Sequence, residues 1–130
     1  MSMVPGLTGT CDMVVKEEDL VSSIGGAAIH VLSTPRLIQL IEAAAIEAIK
    51  DYMSRGELSL GTRVSIQHLS ATPLGMKVTA HALLKRVEKH RLFFVVDAYD
   101  EKEKVAEGEH ERLLVSKDRF VQKVAKKREL

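Results

Sequence analysis

The hydrophobic period of this chain changes near Gly56, and that change constrains the fold more than any other feature. Over residues 34–54 the apolar positions recur at helical spacing, and beyond Gly56 they alternate with period two. In the helical stretch Ile38, Ile41, Ala45, Ile49 and Met53 form a broad apolar face, with Arg36, Glu47, Lys50 and Ser54 opposite. Glu47 and Lys50 are spaced to pair weakly. Thr34 reads as the cap and Pro35 as the first helical residue, where a missing N–H costs nothing. Gly56 reads as the terminator. The alternating half predicts four strands at about 61–70, 76–88, 91–99 and 104–115, separated by Thr72-Pro73-Leu74-Gly75, Lys89-His90 and a turn at 100–102. The run from Leu92 to Val96 predicts burial on both faces. Ser116 caps a short basic helix. Residues 7–15 read weakly as a further strand, and Ser22, Ser23, Gly25 and Gly26 mark a loop. Short turns make neighbouring strands antiparallel, so one long antiparallel sheet lies beside one apolar helix, an α+β layer arrangement.

Composition narrows the classes. The 130 residues fit one domain spanning 1–130, and a 45% hydrophobic content excludes a disordered chain. Aromatics make up 4% and Trp is absent, so the core is built from aliphatic side chains and Met. Nineteen basic against eighteen acidic residues leave a formal charge of +1, which supplies no general field for nucleic acid. The local run Lys123, Lys126, Lys127 and Arg128 is either a solvated helix end or a landing site for ligand phosphates. Cys11 is the only cysteine, so neither an internal disulfide nor a Cys-based metal site can form, and a reducing, cytoplasmic location is expected. Residues 1–10 show no signal-peptide pattern. Glu42 interrupts the apolar helix too early for a membrane span.

Several residues stand out chemically. Glu42 sits on the helix among Ile38, Ile41, Ala45 and Ile46. A carboxylate there is costly unless paired, and burial of such groups marks functional sites; a stripe-edge Glu whose head reaches water is the competing reading. Alternation puts His68 on one strand face with Val64 and Ile66, as a core histidine or as a partner of Glu42. Thr34 stands at a helix N-terminus, where backbone N–H groups favour negative charge. Gly61 is a strand-entry glycine that could offer an unobstructed N–H to a carbonyl oxygen. His110-Glu111-Arg112 reads as an exposed, charged strand face. His30, His81 and His90 lack metal-ligand spacing, so no metal site is expected, and no phosphate-binding glycine loop is present.

The stretch SLGTRVSIQHLSATPLG over residues 59–75, Thr34 followed eight residues later by Glu42, and Gly108-Glu-His110-Glu111-Arg112 together closely resemble the hotdog-fold thioesterases typified by fluoroacetyl-CoA thioesterase. The resemblance covers roughly residues 12–125. It implies a long antiparallel sheet wrapped around one central helix, and hydrolysis of an acyl-CoA thioester. It implies Thr34, Glu42 and His68 as the catalytic residues, with Gly61 polarising the thioester carbonyl and Arg112 a further member of the substrate-binding pattern. Coenzyme A belongs to the substrate and no separate cofactor is implied. A homodimer, possibly assembled further, is expected, because one sheet around one helix leaves an edge strand uncovered. The resemblance places the active site at the subunit interface. One departure is visible: residues 22–33, where the fluoroacetyl-CoA enzyme carries a phenylalanine lid, hold no aromatic residue except His30. A hotdog hydratase or dehydratase and a non-catalytic acyl-CoA-binding module are the alternatives.

Overall fold

Five strands and one long helix carry the architecture of the computed structural model, which describes residues 3–24 and 28–129. Strand β1 (Thr8–Val14) leads into two short 3-10 turns, and then helix α1 (Thr34–Ile49) runs for 16 residues. Strands β2 (Glu57–His68), β3 (Lys77–Glu88), β4 (Arg91–Asp100) and β5 (Lys104–Ser116) follow, and helix α2 (Lys117–Ala125) closes the series. All pairings are antiparallel and the spatial order is β1-β3-β4-β5-β2. The sheet curls around α1, which is the hotdog arrangement.

The core lies between α1 and the sheet. Leu37, Leu40, Ile41, Ala44, Ala45, Ala48 and Ile49 of the helix are buried against Val78, Ala80, Ala82 and Leu84 of β3 and Leu92, Phe94, Val96 and Ala98 of β4. This stripe is rotated from the expected one: Leu37 and Leu40 are buried, while Ile38 and Met53 are only half-buried. The cause is the seat of the helix. It rests mainly on β1 and β3, and only lightly on the edge strand β2. Small residues set that seat. A Cβ on Gly9 of β1 would overlap the Ala44 carbonyl oxygen and the Ala48 amide nitrogen, so helix and strand backbones are in direct contact. Ile38, Glu42 and Ile46, four residues apart, form the ridge left facing the thinly covered β2 side.

Other expectations need correction. β2 starts at Glu57, ahead of the expected 61, because Gly56 turns the chain at φ +80 and pairing begins at once with Ser116. α1 ends at Ile49 and passes into a 3-10 turn over Lys50–Tyr52 instead of continuing to 54. The apolar run of β4 is buried on one face only. Leu92, Phe94 and Val96 point inward, Val95 is 40% exposed, and the Arg86 guanidinium lies over the Phe93 ring at 3.9 Å. The loop expected at Ser22, Ser23, Gly25 and Gly26 lies partly outside the described residues, since 25–27 are not among them. Its described portion is tied down by Asp19, which is buried and accepts from Arg36 Nε at 2.9 Å and from the Lys16 amide at 2.8 Å. Among the described residues no helix is long and apolar enough to cross a membrane.

Candidate active site

The N-cap of helix α1 lies one residue ahead of the expected one. Ser33, in extended conformation, is the N-cap, and its hydroxyl accepts from the Arg36 amide at 3.3 Å. Thr34 and Pro35 are therefore the first two helical residues, and the Thr34 hydroxyl is released from capping. It meets His68 Nδ1 at 2.8 Å instead. His68 closes β2, half-buried on the same face as Val64 and Ile66, as alternation predicted. Burial pushes its pKa below the usual imidazole range, and the Ser70 backbone pulls it the other way. The ring is thus neutral near pH 7, with Nδ1 on Thr34 and Nε2 buried without a hydrogen-bond partner. A buried nitrogen of this kind, at a helix N-terminus, is ready to bond whatever enters.

Two turns along α1, Glu42 is held by different residues. Its Oε2 accepts from Arg112 Nη1 at 3.3 Å, and its Oε1 has no hydrogen bond among the described residues. Gly61 lies directly beneath: a Cβ there would overlap Glu42 Oε2 and stand 3.3 Å from Arg112 Nη1 and His110 Cε1. Space, not backbone conformation, is what requires glycine at 61. The strand register slips between Gly61 and Arg63, a bulge of the kind that re-aims an edge strand beside a site. Eight residues at helical rise put Thr34 and Glu42 about 12 Å apart along the helix axis. No hydrogen bond joins Glu42 to Thr34 or His68 among the described residues. Within one chain the partner of Glu42 is Arg112, and the partner of His68 is Thr34.

The His110-Glu111-Arg112 segment is not an exposed face. His110 is 0% and Arg112 4% exposed, both inward, while Glu111 points out and pairs with Arg63 at 3.0 Å. Arg112 is fixed on every side. Its Nε donates to Ser59 Oγ and its Nη2 to the Ser59 carbonyl, each at 3.0 Å, and its Nη1 reaches His110 Nε2 at 3.2 Å as well as Glu42. Burial pushes the guanidinium pKa down and the Glu42 carboxylate holds it up. His110 Nδ1 lies 2.8 Å from the Arg63 carbonyl oxygen, which can only accept, so Nδ1 carries the proton and Nε2 is the acceptor facing Arg112. The imidazole stacks on its cross-strand neighbour Phe94 with centroids 5.9 Å apart. Burial pushes its pKa below the usual range, opposed by the Arg63 carbonyl, so the ring is neutral.

Sequence reasoning placed Glu42, Gly61 and Arg112 in one site, read His110 as part of an exposed strand face, and gave Ser59 no role. Alternation along β5 held the missing signal, since His110 and Arg112 share a face with the buried Ala106. The chemistry available is a carboxylate with one oxygen anchored and one free, a glycine beneath it, and a separate neutral Thr–His pair at a helix N-terminus.

Known proteins of the same fold supply the family. A curated fluoroacetyl-CoA thioesterase from Streptantibioticus cattleyicolor is 38% identical over 98 residues, covering 75% of this chain and 70% of the relative. The solved structure of the fluoroacetyl-CoA thioesterase FlK superposes with a TM-score of 0.90 at 34% identity, covering 98% of each chain, and a FlK variant has been solved with fluoroacetate and CoA. A hot-dog-like protein from Thermanaerovibrio acidaminovorans superposes with a TM-score of 0.87 at 27% identity, over 95% of this chain and 91% of that one. Residues 15–118 match the family described as fluoroacetyl-CoA-specific thioesterase, and the chain belongs to that family.

Proposed function

We propose that this protein is an acyl-CoA thioesterase that hydrolyses its substrate to the free acid and CoA, with Glu42 as base or nucleophile. One observation carries the assignment: Oε2 of Glu42 is anchored by Arg112 over Gly61, while Oε1 is left free. A carboxylate fixed at one oxygen and open at the other is arranged to take a proton from water or to attack a carbonyl carbon. In this reading the Gly61 backbone and the N-terminus of α1 polarise the thioester carbonyl, and Thr34 and His68 assist. The substrate is a small molecule bearing CoA, as in the family's named relatives. A lone, half-buried Cys11 suits a reducing cytoplasm.

The same reading includes a homodimer. Among the described residues β2 pairs only with β5, which leaves its outer edge without a strand, and β2 carries both Gly61 and His68. A second copy against that edge would bring a second Thr34–His68 pair and a second Glu42 to the same interface. Sedimentation at micromolar concentration is expected to give the dimer, and a monomer alone would remove this part.

The test of activity is thiol release from a panel of acyl-CoAs by the wild type and Glu42→Gln. Release is expected, with kcat lowered roughly 10²- to 10⁴-fold in the folded variant. Tight binding without turnover by the wild type would instead make the protein a binding module, and a Gln variant keeping more than about a tenth of kcat would remove Glu42 from the chemistry.

A further inference from the structure

A chain of contacts joins His110, Arg112 and Glu42, and of the three only His110 has no role in the reading above. Counting from the sheet edge, the Arg63 carbonyl on β2 accepts from His110 Nδ1 on β5, His110 Nε2 accepts from Arg112 Nη1, and the same Nη1 donates to Glu42 Oε2 on α1. The Nη1 group has two hydrogens, one for each acceptor, so both contacts hold together only when the guanidinium lies in one plane and the His110 ring is neutral. Ser59 fixes the other two nitrogens. Without His110, Nη1 would keep a single partner, the side chain of Glu42, which is 35% exposed and free to follow solvent.

We propose that His110 is a positioning residue for the Glu42 carboxylate: by accepting from Arg112 Nη1 it fixes the plane of the guanidinium, and through it the oxygen of Glu42 that faces Gly61. The proposal rests on the thioesterase reading for its consequence but not for its geometry. Three features argue that the ring does more than fill space. Its tautomer is fixed by the Arg63 carbonyl. Its stacking on Phe94 fixes the ring plane. The Gly61 cradle leaves only 3.3 Å between a Cβ position and His110 Cε1, so ring, guanidinium and carboxylate share one tight space.

The arrangement also makes the contact sensitive to acid. A proton on Nε2 removes the acceptor and sets two cations 3.2 Å apart, while Glu42 from α1 and the neighbouring Glu111 oppose that by favouring the charged ring. Arg63 faces it only through its carbonyl. The Nη1 contact is therefore intact at neutral pH and lost on acidification.

Two variants separate positioning from packing. His110→Asn keeps a donor at the Nδ1 position for the Arg63 carbonyl and lacks the acceptor for Arg112. His110→Gln reaches the Nε2 position and restores that acceptor. Nitrogen NMR of the Arg112 guanidinium, read without substrate, is expected to show slowly rotating, resolved Nη signals in the wild type and in His110→Gln, and merged signals in His110→Asn. In acyl-CoA hydrolysis kcat is expected to fall roughly 10-fold or more in His110→Asn, the scale of one hydrogen bond to a charged group, with KM within about two-fold and kcat recovered in His110→Gln. Equal losses in both variants, or an unchanged kcat in His110→Asn whose Arg112 signals have merged, would overturn the proposal. If the wild type hydrolyses no acyl-CoA, the thioesterase reading fails alone, and the NMR comparison still decides whether His110 holds Arg112.

Discussion

Replacing Gly61 by alanine isolates the placement of Glu42 from the stability of the fold. The added methyl overlaps Glu42 Oε2, which must retreat on the order of 1 Å, and it crowds Arg112 Nη1 and His110 Cε1, both at 3.3 Å. Of these neighbours, Glu42 is the one that can move, since its side chain is 35% exposed while Arg112 and His110 are buried and pinned. Losing the Arg112 contact leaves the buried guanidinium on Ser59 and His110 while the carboxylate turns to solvent, a cost of about 0.5–1.5 kcal/mol. Against that, alanine in a strand gains about 0.5–1 kcal/mol over glycine, and the backbone at 61 is not in the left-handed region. The two terms nearly cancel, so Tm is expected to stay within about 4 °C of wild type. Activity responds differently. A displacement of about 1 Å in a catalytic group costs on the order of 10²-fold, so kcat on acetyl-CoA should fall by about that factor. Thiol release followed spectroscopically, with a thermal melt of the same sample, measures both. A Gly61→Ala enzyme that melts normally and keeps a third or more of wild-type kcat would refute the reasoning, because the anchored position of Glu42 would then not matter.

Further outcomes follow from the same geometry. Thr34→Ala removes the hydrogen bond to His68 Nδ1 and leaves the Ser33 cap intact, so kcat is expected to drop less than in Glu42→Gln while the helix stays stable; a collapse in Tm would show that Thr34 holds the fold. Fluoroacetyl-CoA is expected to be preferred over acetyl-CoA by no more than roughly 10- to 200-fold, since residues 22–33 offer no phenylalanine lid, and a preference of several thousand-fold in kcat/KM would contradict this. His68 and His110 both have folded pKa values below the ordinary one, so the unfolded chain binds protons first as pH falls through about 6.5, and stability drops from there down through the folded values. Urea midpoints at pH 7.5 and 5.5 check the sign, and a protein more stable at 5.5 would exclude two buried neutral imidazoles.

Much of the fold could be read from period alone. Glu88 pairs with Arg91 across Lys89-His90, and the Thr72–Gly75 turn and the Ser116 helix start stand where punctuation put them. Rotation about α1 was less legible. Ile38, Ile46 and Met53 are as apolar as Leu37 and Leu40, so the sequence gives no preference until Gly9 and the alanines fix which flank touches β1. The capping error had a similar source, since Ser33 and Thr34 are adjacent and both are common caps, and the His68 contact that takes the Thr34 hydroxyl is remote in sequence. His110 and Arg112 looked solvated because they are polar and flank Glu111. Their burial depends on each satisfying the other, with Ser59 and the Arg63 carbonyl supplying the rest, and those partners lie some fifty residues away along the chain.

The contact of Gly9 with Ala44 and Ala48 works as a spacer gauge. It sets how deep α1 sits above the sheet, and depth at Ala44 is depth at Glu42, two residues away on a rigid rod. A methyl added on β1, on the opposite flank of the helix from the reacting groups, lifts or tilts that rod and changes the gap between Glu42 and Gly61. Strand β1 touches no substrate in the proposed chemistry, yet it calibrates the site. Repacking the N-terminal strand at Gly9 is therefore expected to lower stability, because the atoms in the way are helix backbone, and to shift turnover with it.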